Sequence, residues 1–310
     1  MLSGEQIGQL MDRIREQFAM AQDAEITMEV NPGTANAEKL RNFYTAGINR
    51  LSIGMQSAQA EELKNLGRIH DFEGFCQVYR EAVEAGFTNI NVDIMSGLPG
   101  QTLASYRDTL EKVLHLEPMP QHISAYSLIV EEGTPFAAMA ERGELPLPEE
   151  ETERAMYEET IEVLSKYGFH RYEISNYARD GYECRHNVGY WIRRDYLGFG
   201  IGAASLIDNV RFQNEKSLGA YLAHPLESRE EEQTLTVQDR MEETMFLGLR
   251  LTRGVSCVDF AEQYGRTVEE VYGEVIARNV ADGLLTVTER KENQKKDRFL
   301  ALTKRGLDLS

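Results

Sequence analysis

Three stretches of the chain repeat one plan: a helix that stops at glycine, one apolar residue, then an alternating strand. They are Ala46-Gly-Ile-Asn-Arg-Leu-Ser-Ile-Gly54, Ala85-Gly-Phe-Thr-Asn-Ile-Asn-Val-Asp93 and Tyr167-Gly-Phe-His-Arg-Tyr-Glu-Ile-Ser175. Glycine ends a helix well because it takes a left-handed conformation without a Cβ clash. Gly47 and Gly86 lie 39 residues apart, about the length of one β/α unit. The helices before them read clearly: Leu40, Phe43 and Tyr44 share one face, as do Phe75, Val78, Tyr79, Ala82 and Val83. Candidate strands are Glu25–Val30, Arg50–Gly54, Asn89–Met95 and Gln121–Leu128. Strands alternating with helices predict an α/β fold with parallel pairing through right-handed crossovers.

In such sheets and barrels a ligand sits at the C-terminal ends of the strands. Those ends are polar here: Glu29 before Asn31-Pro-Gly, Gly54-Met-Gln56, and Asp93 leading into Gly97-Leu-Pro-Gly-Gln-Thr102. Singly, each is more often a cap or a solvated loop position. Three equivalent ends together bring a binding site level with that plainer reading.

Beyond Glu144, the stretch Leu145-Pro-Leu-Pro-Glu-Glu-Glu151 resembles a hinge, and a long helix is expected from about Glu150 to Tyr167. From about Gln233, helical segments Val237–Leu249, Ser256–Tyr264 and Val268–Asp282 lead to Gly283–Glu289 and Arg298–Thr303. Helices followed by a two-stranded wing describe a winged-helix-like module. The expected division is residues 1–145, 146–232 and 233–310. Many winged modules bind DNA, but Val268-Glu-Glu-Val-Tyr-Gly-Glu is acidic where a groove reader is basic. A net charge of −18 also opposes phosphate-backbone binding, and the basic clusters Arg193-Arg194 and Lys291–Arg298 are small. Nucleic acid is therefore not an expected partner.

Cys76, Cys184 and Cys257 are few, odd in number and far apart, which suits a reducing compartment better than a disulfide framework. The opening Met1-Leu-Ser-Gly-Glu carries neither a basic nor an apolar leader region, so a cytoplasmic location is expected.

One further segment is unusual. Glu183-Cys-Arg-His-Asn-Val-Gly-Tyr-Trp191 holds the only tryptophan and crowds imidazole, thiol, carboxamide and two aromatic rings together. It runs into Asp195-Tyr-Leu-Gly-Phe-Gly-Ile-Gly202. A thiolate or imidazole can ligate iron, and flat rings can cover a planar macrocycle. The plainer reading, a buried turn whose tryptophan and histidine find hydrogen-bond partners, is favoured by the residues alone. The Gly198-Phe-Gly-Ile-Gly202 stretch is too short to identify a dinucleotide loop.

Six ordered motifs together are more specific. Glu25–Gly33, Asn49–Ser57, Asn91–Gln101, Ile123–Pro135, Tyr172–Tyr177 and His186–Trp191 resemble the oxygen-independent coproporphyrinogen III oxidase family of radical S-adenosylmethionine proteins. The resemblance spans essentially the whole chain. It implies a partial radical-SAM β/α barrel with a C-terminal helical domain. By position, Glu29, Gln56, Arg68 and Asp93 match family residues that contact S-adenosylmethionine. A carboxylate suits the methionyl ammonium, Arg68 its carboxylate, and Gln56 and Asp93 its amino-acid or ribose groups. The segment His186, Asn187, Tyr190 and Trp191 marks the family's heme-chaperone branch, with His186 the first candidate for heme iron and Cys184 a distant second. Asn187 is expected to hold a loop through backbone hydrogen bonds, and Tyr190 and Trp191 to offer apolar area to the porphyrin.

The family carries a [4Fe–4S] cluster on Cys-x3-Cys-x2-Cys after its first strand, and these residues contain no such motif. The expectation is a fragment beginning one or two β/α units late, with Glu25–Val30 at an open sheet edge. Gly306-Leu-Asp-Leu-Ser310 likewise resembles an interrupted helix. The resemblance implies heme transfer to a membrane-bound respiratory acceptor and leaves open a homodimer. Its alternatives are oxidative decarboxylation of coproporphyrinogen III and a non-enzymatic winged-helix adaptor.

Overall fold

The computed structural model describes residues 2–309 apart from Leu226, Ser228, Asn293 and Gln294, with the side chains of Lys291, Glu292 and Lys295 also outside the description. The middle of the basic Lys291–Arg298 stretch, Met1 of the leader reading and Ser310 of the terminal helix reading lie outside the described residues. The chain divides into two compact units. The first comprises residues 1–171 and 175–183, and the second residues 172–174 and 184–310.

The first unit runs α1 (Gly4–Gln17), β1 (Thr27–Val30), α2 (Ala37–Ala46), β2 (Arg50–Gln56), α3 (Ala60–Asn65), α4 (Phe72–Ala85) and β3 (Ile90–Ser96). It continues with α5 (Leu103–Leu114), β4 (His122–Ser127), α6 (Pro135–Glu141), α7 (Glu150–Lys166), β5 (His170–Arg171) and β6 (Asn176–Ala178). Side-chain caps begin α2 at Asn36 and α4 at Asp71. Gly47 and Gly86 end these helices at φ 99° and 109°, as the repeat requires.

The six strands form one open sheet in the order β1-β2-β3-β4-β6-β5. β1 to β4 are parallel, and β6 and β5 join antiparallel. β1 is the edge strand among the described residues, as expected. The third copy of the repeat departs from the plan. After Gly168, His170 and Arg171 pair antiparallel to β6 rather than extending the parallel series, and Glu173 makes an isolated antiparallel bridge to Leu251. Alternation alone cannot distinguish the two directions, because both give a period of two.

Leu51, Ile53 and Met55 of β2 and Ile90, Val92 and Ile94 of β3 are fully buried on one face. They pack with Leu40, Phe43, Phe75, Tyr79 and Leu110 from the helices in a single core. The opposite face of the same strands is polar.

The second unit begins with α8 (Arg185–Trp191). A three-stranded antiparallel sheet follows, made of β7 (Ala204–Ile207), β8 (Val210–Asn214) and β9 (Arg229–Thr234), with α9 (Leu218–Ala223) between its last two strands. The sequence reading did not anticipate this sheet. Next come α10 (Val237–Gly248), β10 (Val255–Ser256), α11 (Cys257–Tyr264), α12 (Val268–Ala281), β11 (Leu285–Glu292), β12 (Lys295–Leu302) and α13 (Lys304–Leu307). β11 and β12 form an antiparallel wing, and β10 adds to β12. Met241, Phe260, Val268, Leu285 and Leu300 make its core. No helix among the described residues is long and apolar enough to cross a membrane.

Candidate functional site

The parallel register lines up the polar face strand by strand. Glu29 lies opposite Ser52, Ser52 opposite Asn91, and Asn91 opposite His122. One row on, Gly54, Asp93 and Ser124 align. These groups are tied together. Asn91 Nδ2 donates to Ser52 Oγ (2.7 Å) and to Asp93 Oδ1 (2.7 Å), while Ser52 Oγ donates to Asp93 Oδ2 (3.1 Å). Asn91 Oδ1 accepts from Ser124 Oγ (3.2 Å) and faces His122 Nδ1 at 2.6 Å. Burial, and then the nearby Arg50 guanidinium, hold His122 well below the usual histidine range, so its ring is neutral. Burial raises the Asp93 carboxyl above the usual aspartate range. The hydrogen bonds from Asn91, Ser52 and Ser124 oppose that shift, and the charge of Glu29 adds to it.

The expected residues come together at the strand ends. Gln56 is buried at the end of β2, where the pairing with β3 shifts between Gly54 and Gln56. Its φ of 68° is a left-handed value that a non-glycine residue seldom takes. Such an outlier persists only where its surroundings fix it. Tyr126 Oη donates to Gln56 Oε1 at 3.0 Å. Burial first, and then the Asp93 carboxylate, push the Tyr126 phenol up to about 12, with Glu29 adding and Arg68 opposing. One hydroxyl thus lies within electrostatic reach of Asp93, Arg68 and Glu29 and bonds Gln56. Arg68 arrives from the loop after α3, and its Nη1 donates to Asn31 Oδ1 at 2.9 Å, just past β1. Arg68, Ile69, His70 and Asp71 also line a cleft of about 390 Å³ with Pro32 and Gly33. Glu29 itself is exposed on the edge strand.

Tyr126 was not among the residues singled out from sequence. Its position was readable, because it follows Ser124 by two on a strand and so shares its face. The Gly97–Thr102 stretch ties neighbouring loops together. Gln101 Nε2 donates to Met95 O (3.1 Å) and Glu62 Oε2 (3.0 Å), and its Oε1 accepts from Leu98 N (3.2 Å). Buried Glu62 also accepts from Ser57 Oγ and Ser105 Oγ, each at 2.6 Å. One carboxyl therefore fastens the loops after β2 and β3.

A carboxylate pair, a guanidinium, a carboxamide and a phenol at adjacent strand ends complement a ligand that carries ammonium, carboxylate and hydroxyl groups together. The three cysteines do not fit an iron–sulfur cluster. Cys184 is buried, Cys76 and Cys257 are half-buried in separate helices, and none of the three is in a disulfide. No group of three His, Cys, Asp or Glu side chains that could hold a metal occurs among the described residues.

In the second unit, residues 185–191 are helical rather than a buried turn. Main-chain bonds such as Val188 N to Cys184 O (3.0 Å) make the segment a helix, so Asn187 lies within a helix rather than in a loop. His186 is exposed, and its ring meets Tyr190 edge-on at 4.6 Å; Tyr190 meets Tyr196 at 4.7 Å in the same manner. Trp191 lies apart from this row. Its ring packs beneath the Arg250 guanidinium at 4.5 Å, and its buried Nε1 has no hydrogen-bond partner among the described residues. Cys184 is buried, and its N–H donates to Tyr172 Oη at 3.3 Å. The chain leaves α8 through Arg193, whose buried Nε donates to Glu243 Oε2 (2.8 Å) and whose Nη1 donates to Asn209 Oδ1 (3.1 Å). Arg193 thus serves the fold and adds nothing to a basic surface.

Comparison with known proteins agrees with this architecture. Residues 3–113 match the Radical SAM superfamily, and residues 235–309 match the HemN C-terminal domain. The heme chaperone HemW of Bacillus subtilis is 39% identical over 93% of this chain and 76% of its own length. Its namesake in Escherichia coli is 34% identical over 92% and 75%. Coproporphyrinogen III oxidase (HemN) from Escherichia coli, a Radical SAM enzyme, superposes with a TM-score of 0.80 at 25% identity, over 99% of this chain and 73% of that one. The parallel strands, the winged C-terminal module and relatives matched over three quarters of their length place the chain in the HemW family of radical-SAM proteins.

Proposed function

We propose that this chain is a heme carrier, binding heme iron through His186 and passing the heme to a membrane-bound respiratory acceptor. The observation that carries the reading is the exposed imidazole of His186 at the start of α8, set against Tyr190. A neutral imidazole nitrogen is a good iron ligand, and an exposed ring can be reached by a macrocycle that a buried one would exclude. Tyr190 meets that ring edge-on at 4.6 Å. Cys184 is a poor competitor because its thiol is buried. The names of relatives at 34–39% identity support carriage over porphyrinogen oxidation, which rests on a structure at 25%.

The polar strand ends form the second part of the proposal, a site for S-adenosylmethionine. Glu29 would meet its ammonium, Arg68 its carboxylate, and Gln56 and Asp93 its amino-acid or ribose groups. Tyr126 joins them by holding Gln56 in place. When bound, the cofactor supplies a sulfonium. The cysteines present give no means of cleaving it.

The test is a hemin titration followed at the Soret band. His186→Ala should weaken binding by roughly tenfold, the worth of one good ligand or hydrogen-bonded contact, and move the Soret maximum. Cys184→Ala should change neither. An unaltered titration for His186→Ala, with the fold intact by circular dichroism, would remove the ligand role.

A further inference from the structure

The glycine-rich stretch after α8 is built to hold apolar side chains in water. Its backbone is fastened by side chains. Asn214 Nδ2 donates to Gly198 O (3.2 Å) and Gly200 O (2.9 Å), Ser205 Oγ accepts from Gly198 N (3.0 Å), and Tyr221 Oη accepts from Gly200 N (3.1 Å). Asn214 and Ser205 are themselves buried. The glycines serve the turn. A Cβ at Gly198 would strike the Ala204 carbonyl, and Gly200 has φ +98°. That accounts for the pattern without a phosphate.

A loop tied so thoroughly would ordinarily bury its large side chains, and this one does the reverse. Phe199 is 71% exposed, with Leu197 and Ile201 beside it. The bond from Gly200 to Tyr221 brings α9 alongside, where Leu218 is 58% and Leu222 68% exposed. Large apolar groups held in water on a fixed scaffold mark a binding surface, since ordering them has already been offset by the fold.

The row of rings that runs into this loop along the chain points to the occupant. His186, Tyr190 and Tyr196 step edge-to-face at 4.6 and 4.7 Å, and Tyr196 leads directly into Leu197. Lys216 is exposed and flanks Gly202, which puts a cation at the border of the patch in a chain of net charge −18. An apolar platform with a cation at its edge complements a flat, hydrophobic dicarboxylate. We infer that the Leu197–Gly202 loop and α9 form the platform for the porphyrin macrocycle, with Lys216 facing a propionate.

This inference rests on the heme reading of His186, and metal-free protoporphyrin IX separates the two. A platform acts on the macrocycle whether or not iron is present, whereas a ligand acts on iron. In the full chain, Phe199→Ser and Leu222→Ser should each weaken hemin and protoporphyrin IX alike, by roughly tenfold, as expected for losing one large buried apolar contact. His186→Ala should weaken hemin more than protoporphyrin IX. If both platform variants bind both porphyrins as the unaltered chain does, the platform is wrong, whatever His186→Ala shows. Intact porphyrin binding accompanied by lost association with phosphatidylglycerol vesicles, or by a shift in sedimentation, overturns it too. The patch would then belong to a membrane surface or a second copy.

Discussion

The strand ends of the six-stranded sheet and the stretch from Cys184 to Gly202 handle polarity in opposite ways. In the first, buried or half-buried polar groups bond one another: Asn91, Ser52, Asp93 and Ser124 are linked across three strands. In the second, an imidazole and several large apolar side chains stand in water on a helix and on a loop whose glycines are fastened by side chains. A buried network contributes both stability and shape, so its members are costly to change. A surface built on satisfied backbone can change its side chains cheaply. The contrast predicts where substitutions alter folding and where they alter binding alone.

The largest folding effect should come from Glu62→Ala. Its carboxyl accepts from Ser57, Gln101 and Ser105, all near the ends of β2 and β3. Truncation removes the shared acceptor of three donors, two of them buried, at a cost of about 3 kcal/mol. Urea unfolding of the variant measures it. A loss below about 1 kcal/mol would show that water enters and that the polar interior is looser than described.

Asp93→Asn sharpens the comparison from the other side. Burial, and then the nearby Glu29 charge, raise the Asp93 pKa above its unfolded value. A group raised on folding contributes stability that is full below its unfolded pKa and is lost as pH rises through the folded one. Above its unfolded pKa the group therefore weakens the fold, and a carboxamide in its place would keep the shape without the ionisation. The variant should be about 1 kcal/mol more stable at pH 7.5, with the gain disappearing near pH 4. Equal gains at both pH values would mean that charge is not the cause. A residue that weakens the fold where it is charged is a candidate for ligand contact.

Legibility in the sequence divides along the same line. The β/α units were readable because helix periodicity, Gly47 and Gly86 all agree on one plan. Glu29, Gln56 and Asp93 were proposed by motif and strand alternation could place Tyr126, but the partners of Tyr126 and Glu62 emerge only once the register brings distant residues together. The third repeat misled, since a period of two fits antiparallel pairing equally well. The β7-β8-β9 sheet was missed because its strands are short and β9, Arg229–Thr234, is charged rather than apolar. Contiguity made the His186 segment visible, yet its exposure was not legible, because burial depends on what the rest of the chain leaves uncovered.

The smallest expected effect is the most discriminating. His186 is exposed, and its contact with Tyr190 is an edge-to-face pair at the surface rather than part of a core. Phe199 projects into water from a loop that Asn214, Ser205 and Tyr221 fasten by hydrogen bonds to its glycines. Surface substitutions of this kind usually fall within about 0.5 kcal/mol. His186→Ala and Phe199→Ser should therefore shift the urea midpoint very little, while hemin affinity falls by roughly tenfold. A destabilisation of about 2 kcal/mol or more in either variant would place that side chain inside a folding unit. The second region would then resemble the first, and weakened hemin binding could no longer be assigned to lost contact, because a damaged surface would account for it equally well.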